Sequence, residues 1–161
     1  MRIPLQILFG MLFFGIVIAL STFSFLHNKT TRSDAYIRLQ SIGVQKGSLG
    51  SSTFNFFIAD TDEEKTHGLS GVISMNDNEG VLFRFAHPAN TVFWMKDMQF
   101  PLDFVYVHNN RVVELKENIL PSSYPNTIVN KQIADIVIEL NAGQIRKKSI
   151  KVGDVLELDS E

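Results

Sequence analysis

From Ile3 to Leu26 the chain reads IPLQILFGMLFFGIVIALSTFSFL, 24 residues without a charged side chain. As a helix at about 1.5 Å per residue it would reach roughly 36 Å, more than the hydrocarbon core of about 30 Å. A segment apolar on every face does not suit the surface of a soluble domain. Arg2 precedes it, and His27, Lys29 and Arg32 follow it. Two readings compete. One is an uncleaved signal anchor. The other is a signal peptide, with Ala19 and Ser21 as the small residues before the cut. The apolar run exceeds the usual core of about 7–15 residues, which favours the anchor. The chain has no cysteine, so a lipoprotein anchor is excluded, as are disulfides and thiolate chemistry.

The chain therefore divides into an anchor or signal peptide over 1–27, a tether over 28–52 and a domain over 53–161. The tether is assigned on its Ser, Thr, Gly and Lys content, with a short strand or helix near Tyr36–Leu39. Residues 34–161 hold 12 basic and 17 acidic side chains, a net charge of −5. That balance lacks the basic footprint of nucleic-acid binding. A strict positive-inside count would keep the domain in the cytoplasm, but the α-amino group narrows the margin. A terminal anchor ahead of a small acidic domain favours export. The expected partners are the membrane, through residues 3–26, and an envelope ligand or protein.

Past the tether, short apolar runs alternate with turn residues. Phe54, Phe56 and Ile58 share one face of an extended segment, with Phe57 on the other. Thr61 and Glu64 have capping-box spacing, acids fill the following turn and Gly68 suits a stop, which predicts a helix of about two turns. His67 in its last turn is placed to interact, when protonated, with the helix's negative end. Further strands are predicted at 80–86, 91–95 and 135–140, with a last one at the end of 152–158. Residues 103–116 predict a hairpin turning at Asn109-Asn110, since asparagine tolerates positive φ. Residues 120–127 read as loop, and 141–150 hold a short helix. The expected fold class is mainly β (a β-rich α+β domain), a compact barrel or sandwich of short strands with one or two short helices, after a single N-terminal transmembrane helix.

The blocks ADTDEEKTHGLS, EGVLFRF, FWMKDMQFPLDFVYV, VIELNAG and IKVGDVLEL occur in an order and spacing that resembles the domain-of-unknown-function 192 family over about residues 54–158. The Trp-Met-Lys block with Pro-Leu-Asp after it is the most specific segment. The resemblance implies a compact β-rich fold, often exported or membrane-linked, and implies no particular reaction. The chain departs from the family pattern at Ser70 and Val81, each standing for a usual methionine, and at Asp97-Met98, standing for a usual Asn-Thr.

The residues themselves offer little catalytic patterning. The four histidines show no HExxH spacing, and no phosphate-cradling glycine loop or Gly-x-Ser-x-Gly elbow occurs. No metal or cofactor is expected and no catalytic residue is assigned. The candidate ligand-binding residues are Trp94, Lys96, Asp103 and Glu139. If 91–96 is extended, Val92, Trp94 and Lys96 share a face, and an indole beside an ammonium could seat a polar ligand with an apolar side, such as a sugar ring or an acidic peptide. Trp94 could equally be core, with Lys96 extending away from it. Asp103 could pair with Lys96 or cap the next element. Glu139 lies in an apolar strand and would need a partner if buried. The alternative to binding is a small hydrolase acting on glycans, with Asp103 and Glu139 facing one cleft roughly 5–10 Å apart.

Overall fold

The alternating apolar residues build one long sheet. The computed structural model describes residues 34–160; the predicted membrane segment over 3–26 lies outside them. Residues 34–41 form helix α1. It is followed by β1 (Val44–Leu49), β2 (Ser52–Ala59), α2 (Asp62–His67), β3 (Glu79–Ala89), β4 (Val92–Trp94), β5 (Leu102–His108), β6 (Arg111–Ile119), β7 (Thr127–Val129), β8 (Ala134–Asn141), α3 (Gln144–Lys147) and β9 (Leu156–Leu158). Seven strands form a sheet in the order β6-β5-β8-β3-β2-β1-β9, and β4 pairs with β7 in a separate ribbon. Within the large sheet only β2 and β3 are parallel, joined by the crossover that carries α2. The other neighbours run antiparallel.

The sheet curls into a half-barrel. Its two edges meet at one end, where Arg111 bridges Val155 and Leu156 N–H donates to Asn110 O at 2.9 Å. Phe54, Phe56, Leu82, Val105 and Ile138 fill the concave side together with Val112 and Leu156 from the two edge strands, and Ile145 of α3 packs among them. The opposite face buries Phe57, Val81, Phe83, Phe104, Tyr106 and Val137. Ala35 and Leu39 of α1, the loop residues Leu69, Val72 and Met75, and Met95, Met98 and Ile128 cover it. The mainly β expectation therefore holds, with three short helices among the described residues. None of these helices is long and apolar enough to cross a membrane.

The local expectations can be followed residue by residue. Thr61 and Glu64 form the reciprocal capping box, and Gly68 ends α2 at φ 46°. Asn109 and Asn110 both take positive φ, 51° and 59°, the geometry a two-residue type I′ hairpin turn needs. The short strand or helix expected near Tyr36–Leu39 is a helix, and the tether assignment over 28–52 is corrected where β1 lies. Residues 34–41 are helical, with Ala35 and Leu39 four apart on the buried face, and β1 is a strand of the main sheet. The glycine that suggested a loop has another cause. A Cβ on Gly47 would lie 2.4 Å from Glu157 O, so the close approach of β9 demands glycine there. The expected loop over 120–127 holds a single 3-10 turn at Pro121–Ser123, and β7 begins at its last residue.

Candidate functional site

The elements that cover the second face leave a gap between α2 and β4. A cavity of about 280 Å³ lies there. The last turn of α2 and the loop after it supply Lys65, His67, Leu69 and Ser70 on one side. β4 supplies Val92, Phe93 and Trp94 on the other. Phe83 and Phe85 of β3 and Glu139 of β8 complete it, with Met98 beside them. Alternation along β4 explains its two roles. Val92 and Trp94 are exposed, Trp94 at 43%, while Phe93 turns inward and meets Phe83 and Phe104 edge-on at 5.1 and 5.6 Å.

The far end of this wall is held by short-range chemistry. Met95 and Met98 are buried anchors. Between them the chain turns at Asp97, whose φ is 58°. Asparagine and aspartate both tolerate this conformation, so Asp97 serves where the family usually has Asn. Gly71 N–H donates to Asp97 O at 3.0 Å, and Ser70 Oγ donates to Lys96 O at 3.1 Å. The serine that departs from the family pattern thus ties the α2 loop to the end of β4. Val81, the second departure, is fully buried and directly opposite Glu139 in the sheet register.

Glu139 is the unusual group of the cavity. Its neighbours across the sheet are Val81 on β3 and Phe104 on β5, both apolar. The residue is 5% exposed, and Oε2 is buried without a hydrogen-bond partner. Burial pushes its carboxyl from the ordinary 4.5 up to about 8. Gly68 runs close by, since a Cβ built on it would lie 3.9 Å from Oε2. On the same sheet face the Tyr106 hydroxyl is also buried without a partner, its pKa raised by burial and by the nearby Glu114 and Glu139. His67 Nδ1 lies 2.9 Å from Glu63 O, and because a carbonyl can only accept, Nδ1 carries the proton. His67 thus bonds a carbonyl of its own helix, and the same residue lines the cavity. Lys65 Nζ sits 5.3 Å above the Phe85 ring.

The four predicted site residues separate. Trp94 and Glu139 line the cavity together. Lys96 is exposed and is not among the lining residues, because the strand ends at Trp94 and the turn carries the lysine away. Asp103 lies on the other face of the sheet. It stands opposite Leu140 in the register, and its fully buried carboxylate accepts from Asn118 N–H at 2.8 Å and Ile145 N–H at 3.0 Å. These bonds differ from both roles weighed for Asp103: they hold β6 and the first turn of α3, where Ile145 lies, rather than Lys96 or the element next in the chain. Asp103 and Glu139 thus point to opposite faces of one sheet, and the fold does not build the shared two-carboxylate cleft that the hydrolase alternative requires. Lys65, His67, Phe85 and Leu69 were not singled out as ligand contacts. They come from segments distant in sequence from the Trp94 block, and no local pattern marks their convergence.

A wider cleft of about 600 Å³ lies between β1 and α2. Three of its charges are already engaged: Arg84 pairs with Asp60 at 3.1 Å, and Glu64 closes the capping box, while Lys46 and Asp159 also line it. Among the described residues no group of three or more His, Asp or Glu is placed to hold a metal ion.

No curated protein matches the chain. The solved structures that resemble it include the following two. One, from Sinorhizobium meliloti 1021 and described as a "putative transcription regulator", is 25% identical with a TM-score of 0.70, covering 73% of this chain and 95% of that one. The other, a protein of unknown function from Novosphingobium aromaticivorans DSM 12444, is 28% identical with a TM-score of 0.65, covering 72% and 84%. The model of the DUF192 family, described as Uncharacterized ACR, matches residues 44–158, from β1 through the last strand. On that match over most of its length, the chain belongs to the DUF192 family.

Proposed function

We propose that this protein is a ligand-binding module of the cell envelope, anchored through residues 3–26, that seats a small molecule between α2 and β4 without catalysis of its own. The observation that carries the reading is one cavity lined by both the half-exposed Trp94 and a buried, unpartnered Glu139. Mostly apolar walls with a few convergent polar groups are the usual make-up of a small-molecule site. A DNA-binding role would need a basic face that the net −5 of residues 34–161 does not favour. Screening small molecules for thermal stabilisation of the full chain tests the binding. A ligand at about 100 times its Kd adds about 2.7 kcal/mol, raising the melting temperature by roughly 5–10 °C. Trp94→Ala is expected to remove that increment, and Lys96→Ala to leave it. An increment lost with Lys96→Ala and kept with Trp94→Ala would overturn the assignment.

The location is part of the same reading and rests on the uncharged run from Ile3 to Leu26. A reporter enzyme active only outside the cytoplasm, fused after Glu161, is expected to be active. A silent external reporter beside an active cytoplasmic one would place the domain on the inner side.

A further inference from the structure

Resting on the reading of this cavity as a ligand site, we propose that its ligand is a small organic cation, an ammonium group carried on an apolar or aromatic body, with Glu139 as the counter-charge. Three observations select this class. The first is the polar group itself. Oε2 of Glu139 is buried and unpartnered, and Val81 and Phe104 flank it in the sheet. None of the salt bridges among the described residues involves it. The second is the wall. Phe85, Phe93 and Trp94 line the cavity, and aromatic faces carry negative potential that favours cations and disfavours anions. The third is an internal precedent, since the Lys65 ammonium already rests on the Phe85 ring. A neutral hydroxylated ring could hydrogen-bond to Glu139 but would gain nothing from the ring faces as cation seats. The volume of about 280 Å³ lies at the lower end of ligand pockets, about 300–1,000 Å³, so the body is small.

Binding is coupled to a proton. With its carboxyl titrating near 8, Glu139 is protonated in the empty site at neutral pH. Pairing with an ammonium ion leaves a carboxylate–ammonium pair and releases one proton to water, while the ligand keeps its own. Affinity therefore rises with pH up to about 8, by up to about tenfold per pH unit. The other ionisable groups at the cavity are Asp62, Lys65 and His67 on α2, and Tyr106 shares Glu139's sheet face. Lys65, half-buried, competes with a ligand cation for Phe85.

Trp94 is the only tryptophan of the chain, so its emission reports on this cavity alone. The test titrates the full chain with benzylammonium and with benzyl alcohol at pH 6 and pH 8. Benzylammonium is expected to bind at least about tenfold more tightly than the alcohol at pH 8, and more tightly at pH 8 than at pH 6. Glu139→Gln should bring the two probes together. Lys65→Ala, which uncovers the Phe85 ring, should strengthen benzylammonium several-fold more than it strengthens the alcohol. Equal binding of both probes to the unmodified chain, with no gain in Lys65→Ala, would overturn the cation class and leave the cavity as a ligand site. No change in Trp94 emission with either probe would overturn the cation class and weigh against the binding reading itself.

Discussion

Replacing Asp103 with alanine is expected to cost about 3–5 kcal/mol of stability, read from urea or thermal unfolding. Its carboxylate is fully buried and accepts two backbone hydrogen bonds from segments far apart in sequence, Asn118 N–H and Ile145 N–H. Hydrogen bonds to a charged acceptor contribute about 1.5–3 kcal/mol each, and the alanine variant leaves both donors buried or half-buried without a partner. Asn118 sits at φ 56°, beside an irregularity in the β5–β6 pairing, so no regular ladder bond can take over its N–H. Asp103→Asn keeps one acceptor and turns an amide N–H₂ toward the other donor, so its cost should fall between alanine and the native residue. A loss below about 1 kcal/mol for Asp103→Ala would show that this carboxylate does not join β6 to α3. Ligand binding at the α2–β4 cavity should survive in whatever fraction stays folded, because Asp103 faces the other side of the sheet.

The second large effect is a stability that falls as pH rises. Glu139 is a raised carboxyl, so the sign is opposite to that of a salt-bridged acid. In the unfolded chain it loses its proton near the ordinary 4.5, whereas in the folded chain it keeps it until about 8. Between those values the folded state holds the extra proton, and unfolding becomes easier as pH increases. Above about 8 the penalty is complete. At about 1.4 kcal/mol per pH unit the full difference is of order 5 kcal/mol. The informative quantity is the difference between the native chain and Glu139→Gln, in which every other titrating group cancels. The variant should be less pH-dependent between 5 and 8, and more stable than the native chain at pH 9 by several kcal/mol. Parallel curves for the two proteins would mean that Glu139 is ionised or well solvated in the folded state.

Much of the framework was legible because it is written locally. A capping box, a pair of asparagines at a hairpin turn and the Phe54–Phe56 alternation each specify a conformation within a few residues. Glu139 was legible for a related reason: an acid inside an apolar strand either finds a partner or stays protonated. The failures are non-local. Gly47 reads as a loop glycine until β9 is seen passing within reach of its Cα, and nothing in the sequence near residue 47 announces residue 157. Lys96 follows Trp94 by two positions, which in a continuing strand would keep them side by side. The left-handed turn at Asp97 ends that continuation, and the lysine leaves the wall. The cavity draws on α2, β3, β4 and β8, and its partners to Trp94 are set by the crossover and the sheet order, which no short window of sequence contains.

A ligand that enters between α2 and β4 is seated in the cavity that Trp94 and Glu139 both line. Backbone amide chemical-shift mapping of the protein with the first ligand that stabilises it tests this most directly. The predicted result is a set of shifts confined to residues 65–70, 83–85, 92–98 and the neighbourhood of Glu139, with the Trp94 indole N–H among the largest. Shifts centred instead on the cleft between β1 and α2, around Lys46, Asp60 and Arg84, with Trp94 unmoved, would contradict it.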